Sequence, residues 1–321
     1  MTDDSDDVRD ALATLTNDFE IREKLHAVPP HAVYEVAVDG TRAVCKVARG
    51  PRADPATEAR VMEYVGRETG VPVPRILAAG DDWFLAEWRE GLPDEDPPAD
   101  AQRARILGTG LATLHAETEG AFEATGFPQA EDGRLAVDAR DSWAETVRDQ
   151  LADLREYLAA FGYAEVADEA RSLLADRPDL LSGDDDPVLA HGNYLPAHVA
   201  VADGEPTCVV DWEHALVAPA EYDFWRTAMP LLGGSDGPET SDVFAAFREG
   251  YGSVRPLPTD SDRRTDCYKL VNAVSYLKAL HLQRQRTGQA KARFAARASE
   301  SVRDTVAALR SEGGPRSEGE R

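Results

Sequence analysis

Leu189-Ala190-His191-Gly192-Asn193-Tyr194-Leu195-Pro196-Ala197-His198 runs into the apolar stretch Val199-Ala200-Val201, a turn at Asp203-Gly204, and then Cys208-Val209-Val210-Asp211-Trp212-Glu213. The short apolar runs beside each polar cluster read as strands, so two strand-borne loops lie side by side. An acidic residue that follows a short apolar strand is held at its open end by a rigid scaffold, where a carboxylate can coordinate a hard cation such as Mg²⁺. Asp211 is placed in that way. The stretch from Leu189 to Glu213 is therefore the candidate functional centre.

Upstream, His31-Ala-Val-Tyr-Glu-Val-Ala-Val and Ala43-Val-Cys-Lys-Val-Ala flank Asp39-Gly40, which predicts a tight hairpin over residues 31–48. Asp54-Pro55 opens a capped helix with Val61, Met62 and Val65 as its apolar stripe, stopped at Gly70. A second hairpin is expected from Ile76-Leu-Ala-Ala, the turn Gly80-Asp81-Asp82 and Trp83-Phe-Leu-Ala-Glu-Trp88, ending at Gly91. Residues 92–100 combine proline with charge and read as a solvated connection.

Beyond the connection the pattern turns helical. Leu107, Leu111 and Leu114 mark one stripe, Trp143, Val147, Leu151, Leu154 and Leu158 a second, and Val166, Ala170 and Leu173 a third. After the centre come Leu270, Val274 and Leu277 with His281, then Phe294, Ala298, Val302 and Leu309. His115 and His281, on apolar stripes, are expected as satisfied core residues. The expected organisation is α+β: a small antiparallel-sheet lobe over residues 1–91, a large helical lobe over 92–310 that carries the two loops, and a disordered tail over 311–321.

Composition narrows the function classes. The 321 residues are 42% hydrophobic, enough for a substantial core. No segment approaches the roughly 18 uninterrupted apolar residues of a membrane span, and Met1-Thr-Asp-Asp-Ser-Asp-Asp7 is acidic where a signal peptide is basic, so a cytoplasmic location is expected. A net charge of −24 without a Lys/Arg stripe argues against nucleic acid and anionic membrane as partners. Lysines are few (Lys24, Lys46, Lys269, Lys278, Lys291) while arginine and aspartate abound, a balance suited to a halophilic host. Cys45, Cys208 and Cys267 sit among apolar neighbours with no CxxC spacing and are expected as reduced core residues.

His191-Gly-Asn-Tyr-Leu-Pro-Ala-His198 followed by Val210-Asp-Trp-Glu213 resembles the signature of the aminoglycoside phosphotransferase family, whose fold is protein-kinase-like. That family's pattern is His-Gly-Asp, four residues, Asn, and a strand ending in a metal-binding Asp. The resemblance implies ATP and Mg²⁺ or Mn²⁺ as cofactors, a small hydroxylated acceptor as substrate, and Asp211 as metal ligand with His198 beside it. It also implies that Lys46 steadies the nucleotide phosphates, that Glu58 pairs with that lysine, and that Glu87 and Trp88 lie at the nucleotide-binding hinge. Asn193 and His191 are the catalytic-loop candidates, His191 bracing the loop through hydrogen bonds. Leu111-Ala-Thr-Leu-His115 and Asp223 also fall where the family has similar residues. Glu213 has no special role on this basis, because an acidic residue is common there.

The sequence departs from the pattern at three places. Asn193 stands where the family has an aspartate that takes up or orients the acceptor proton; an amide cannot accept that proton, although its oxygen can still orient a hydroxyl. His198 replaces an asparagine, and imidazole suits Zn²⁺ or Mn²⁺ better than Mg²⁺. Leu25-His-Ala-Val-Pro-Pro-His-Ala-Val33, expected over the phosphates, has no glycine, and its prolines lack N–H donors. Two other functions use the same residues: a catalytically silent nucleotide-binding regulator or scaffold, and a metal-dependent hydrolase built on His191, His198 and Asp211.

Overall fold

The computed structural model describes residues 5–50, 52–93, 97, 100–183, 186–231, 241–256, 262–282 and 287–311. Its N-terminal part opens with α1 (Asp6–Ala13) and β1 (Phe19–His26), then the expected hairpin β2 (His31–Val38) and β3 (Thr41–Ala48). Asp39 and Gly40 both adopt positive φ, 49° and 74°, the geometry that matches a two-residue turn to the strand twist. The helix α2 (Pro55–Glu68) follows, with Asp54 accepting from Thr57 N at 2.9 Å as its cap. The second expected hairpin is β4 (Ile76–Ala79) and β5 (Trp83–Glu87), and the five strands form one antiparallel sheet in the order β1-β2-β3-β5-β4.

α1 and β1 were not legible in the sequence, for a physical reason. In β1, Phe-Glu-Ile-Arg-Glu-Lys-Leu-His, Phe19 and Ile21 alone are partly buried, because an edge strand needs few apolar contacts and carries charge at its rim. Val8, Ala11 and Leu12 of α1 pack with Tyr34, Val36, Cys45 and Val47 to form the core of this part.

The C-terminal part begins with α3 (Ala101–Thr118), capped by Asp100. The hairpin β6 (Gly126–Glu131) and β7 (Arg134–Ala139) comes next, then α4 (Trp143–Ala159) and α5 (Ala164–Asp176). The short strands β8 (Val188–Ala190), β9 (Val199–Ala202), β10 (Glu205–Val209) and β11 (Leu216–Ala218) lead to α6 (Ala220–Leu231), α7 (Asp242–Gly252), α8 (Asp262–Leu282) and α9 (Gly288–Ser311). The three expected helices before the centre are α3, α4 and α5. The β6–β7 hairpin adds to them, although Asp132-Gly133 repeats the turn chemistry of Asp39-Gly40, with φ of 49° and 74°.

Several expectations need correcting. His281 is not a core residue: it is partly buried, stacked on the exposed Phe161 ring at 4.4 Å, and its Nε2 has no hydrogen-bond partner among the described residues. The α9 stripe runs through Ala295, Ser299, Val302, Val306 and Leu309, with Phe294 and Ala298 only partly buried. Ser311 ends α9; the rest of the expected tail, 312–321, lies outside the described residues, as does much of the 92–100 connection. Cys45, Cys208 and Cys267 are buried and free, as expected.

Gly108 and Gly250 let α3 and α7 pack backbone to backbone: a Cβ on Gly108 would lie 2.2 Å from Phe247 O, and one on Gly250 2.0 Å from Arg105 O. Gly108→Ala is expected to cost about 1–3 kcal/mol through overpacking. Chemical denaturation checks this, and an unchanged midpoint contradicts it.

Candidate functional site

The loop between β8 and β9 is organised from beneath by a buried carboxylate. Asp223, in the first turn of α6, accepts from His191 N at 2.7 Å through Oδ2 and from Gly192 N at 3.0 Å through Oδ1. His115 Nε2 lies 3.2 Å from Oδ2, with the Tyr251 hydroxyl 2.8 Å from Nδ1. Burial works against ionisation of Asp223, yet the hydrogen bond from His115 and the His191 backbone hold its carboxyl below the usual range. His115 is thus a satisfied core residue. Gly192 has φ of 73°, and a Cβ there would fall 1.9 Å from His214 O. Arg226 Nε donates to Gly192 O, and its Nη1 reaches Ser275 Oγ on α8 at 2.9 Å.

His191 braces the loop. Its Nδ1 accepts from Asn193 N at 3.1 Å, so the proton is on Nε2, which donates to Val210 O at 3.1 Å. Burial depresses its pKa to about 4, which keeps the ring neutral and matches this bonding. Both nitrogens are occupied, so His191 has no lone pair for a metal.

Asn193 Nδ2 donates to Asp211 Oδ2 at 2.5 Å, which turns Oδ1 away from Asp211. Asp211 sits at φ of 69°, uncommon for a non-glycine residue, so its carboxylate is carried back toward the first loop. His198 Nδ1 lies 2.9 Å from Asn193 O and 3.4 Å from Asp211 Oδ2. Both neighbours are acceptors, so Nδ1 carries a proton and the available lone pair is on Nε2. His198 cannot share an ion with Asp211 through Nδ1 in this arrangement. With both ring nitrogens engaged, His191 is not placed to complete a hydrolase site with His198 and Asp211 in this arrangement.

The N-terminal sheet delivers Lys46 into the same centre. Its Nζ lies 2.7 Å from Glu58 Oε2, 3.1 Å from Glu213 Oε2 and 3.6 Å from Asp211 Oδ1. Burial disfavours its charge, but the three carboxylates outweigh this and raise its pKa above the ordinary value. Burial pushes Glu58 the other way from a normal carboxylate, upward, with Lys46 opposing. Glu213, although burial raises it, is held well below its usual range by His31 and Lys46; His31 Nδ1 is 2.8 Å from Glu213 Oε2. Asp211 is likewise lowered against burial, by His198 and Lys46. His31, Glu58 and Glu213 are close enough to suggest a metal cluster, but the Lys46 ammonium already stands among these carboxylates.

The structure thus brings together Lys46, Glu58, Asn193, His198 and Asp211, with His191 beneath. Glu87 and Trp88 stand apart. Glu87 pairs with Arg89 at 2.9 Å and Arg75 at 3.7 Å, while Trp88 lies under the Arg42 guanidinium, 3.5 Å from the ring centre, and donates to Glu90 at 2.7 Å. The segment expected over the phosphates is the β1–β2 turn, where Pro29 and Pro30 have no N–H and His31 N donates to Val28 O at 3.1 Å. Glu213, which the resemblance gave no special role, and His31 also join this centre; no local pattern links positions so distant, and the charge of Glu213 beside Asp211 was the available signal.

No curated protein matches the chain by sequence. Among solved structures, it is similar to a proposed fructosamine-3-kinase from Thermobifida fusca YX-ER1, with 21% identity, 96% of this chain and 99% of that chain covered, and a TM-score of 0.64. Aminoglycoside phosphotransferase APH(4)-Ia gives 18% identity, coverage of 96% and 99%, and a TM-score of 0.63. A thermostable form of that enzyme, solved as a ternary complex with AMP-PNP and hygromycin B, gives 18% identity, coverage of 97% and 99%, and a TM-score of 0.62. These likenesses establish a kinase-like fold. Among the described residues no helix is long and apolar enough to cross a membrane. The family model described as "Phosphotransferase enzyme family" matches residues 31–257, a span that runs from the first hairpin through both loops, and the chain therefore belongs to that family.

Proposed function

We propose that the protein transfers the terminal phosphoryl group of ATP to a hydroxyl of a small molecule. The observation that carries this reading is the Lys46 ammonium, buried between Glu58 of α2 and Asp211 of the second loop. Phosphoryl transfer depends on positioning and charge neutralisation more than on covalent help, and these groups supply both. The acceptor oxygen bonds to the γ-phosphorus, the bridging P–O bond breaks toward ADP, and the hydroxyl proton leaves to a phosphate oxygen or water.

Each residue has a role on this reading. Lys46 steadies the phosphates and Glu58 keeps it aimed. Asn193 Oδ1, turned away from Asp211, accepts from the acceptor hydroxyl and orients it without taking its proton. The partly exposed Asp211 carboxylate fits a hard cation and would hold Mg²⁺ or Mn²⁺, which neutralises phosphate charge when bound. The Glu87–Trp88 stretch contributes through its backbone, since both side chains are engaged with arginines or Glu90.

A silent nucleotide-binding protein is the second reading, favoured by the 2.5 Å contact in which Asn193 occupies an Asp211 oxygen. Incubation with ATP, Mg²⁺ or Mn²⁺ and a panel of hydroxylated metabolites separates the two. The expected result is phosphorylated product from the natural protein and at least about a 10²-fold loss in Asp211→Ala. No product above that control overturns transfer. Activity that appears only in Asn193→Asp establishes the silent reading.

A further inference from the structure

Lys46 and Lys278 have opposite surroundings. Lys46 meets three carboxylates. Lys278, on α8, makes no ion pair among the described residues; its Nζ stands over the Tyr157 ring of α4, 5.7 Å from the ring centre. In a chain with 59 acidic residues against 35 Lys and Arg, a partly buried ammonium without a carboxylate partner is a departure from the expected pattern.

Helix geometry places it one turn from the residues that brace the catalytic loop through Arg226. Ser275 and Asn272 of α8 both accept from Arg226 Nη1, at 2.9 and 3.4 Å, and Arg226 Nε donates to Gly192 O, next to Asn193. Lys278 follows Ser275 by three residues and so lies on the same face one turn on. Arg52, between β3 and α2, pairs with Glu156, the residue before Tyr157. Burial lowers the Lys278 pKa; Glu213 opposes the fall, Arg226 and Arg52 add to it, and Asp153 opposes it, so carboxylates near Lys278 do not fully offset its burial.

We propose that the acceptor carries an anion, a carboxylate or a phosphate, which pairs with Lys278 while its hydroxyl faces Asn193. The proposal rests on the phosphotransferase reading for the hydroxyl's fate, but the anion site itself does not need turnover. A polycationic acceptor would set its charge against Lys278 and Arg52, where the Glu156 carboxylate is already taken.

The test pairs acceptors that differ in the anion: gluconate with glucitol, ribose 5-phosphate with ribose, and glucosamine as the cation. Binding is measured by calorimetry in the presence of ADP and Mg²⁺, and turnover with ATP, for the natural protein, Lys278→Gln and Lys291→Gln, the last matching the change in net charge. We expect at least one anionic member to bind about tenfold more tightly than its neutral partner, and Lys278→Gln to remove that preference. Lys291→Gln should retain it and nucleotide affinity should not change. The gluconate and ribose 5-phosphate arms tell carboxylate from phosphate. Lys278-dependent anion binding without product from any acceptor upholds the site and removes the transfer reading. Absence of binding by both anions, preference for glucosamine, or a preference that survives in Lys278→Gln overturns the proposal.

Discussion

Asp223→Ala is expected to lower the unfolding free energy by about 3–5 kcal/mol, the usual cost of removing one member of a buried charged network. The carboxylate is fully buried and accepts from the backbone N–H groups of His191 and Gly192 while facing His115. Without it those donors are left unmatched, and the loop that carries Asn193 loses its floor. The pH dependence follows in sign. A carboxyl held below its ordinary value contributes stability above the unfolded pKa, about 3.9, and loses it as pH falls through the folded value. The natural protein should therefore lose this contribution below about pH 4, whereas Asp223→Ala has none to lose. Denaturant titration at pH 7 and near pH 3 checks both points; a variant as stable as the natural protein at pH 7 would remove Asp223 from its organising role.

Lys46→Met is expected to act on stability and on function together. It strands Glu58, 3% exposed, whose ammonium partner stood at 2.7 Å, at a cost of about 3–5 kcal/mol. Burial already raises Glu58, and removal of Lys46 raises it further. A carboxyl whose folded pKa exceeds its unfolded one adds stability at low pH and loses it as pH rises, so the variant should become more stable on going from pH 8 to pH 5. The natural protein should show this slope more weakly, because the Lys46 ammonium keeps its charge throughout that window and opposes the rise of Glu58. Transfer should fall by about 10²–10³-fold, the effect of losing one donor to a developing charge. A flat or inverted pH slope in the variant would show that Glu58 is not the group left uncompensated.

Fold and site were legible to different degrees. Asp39-Gly40, Asp54-Pro55 and the leucine stripes of α3 and α4 announce their elements because turn chemistry and periodicity are local. β1 was hidden by its charge, as befits an edge, and β6–β7 was passed over although Asp132-Gly133 carries the hairpin signal. Lys46, Glu58, Asn193 and Asp211 were named from the sequence and stand together in the structure, whereas Glu87 and Trp88 hold their side chains away.

The Leu189 to Glu213 stretch determined by itself the two loops, the family resemblance and the place of Asp211, because each depends on residues a few positions apart. The tertiary structure alone decided that Glu213 meets Lys46 and lies 2.8 Å from His31, that His198 turns its protonated Nδ1 toward Asp211, and that Lys278 stands over the Tyr157 ring without an ion pair among the described residues. Those outcomes depend on how segments far apart in the chain approach one another. At separations of a few ångströms the Coulomb interaction, set by burial, decides which charges are satisfied.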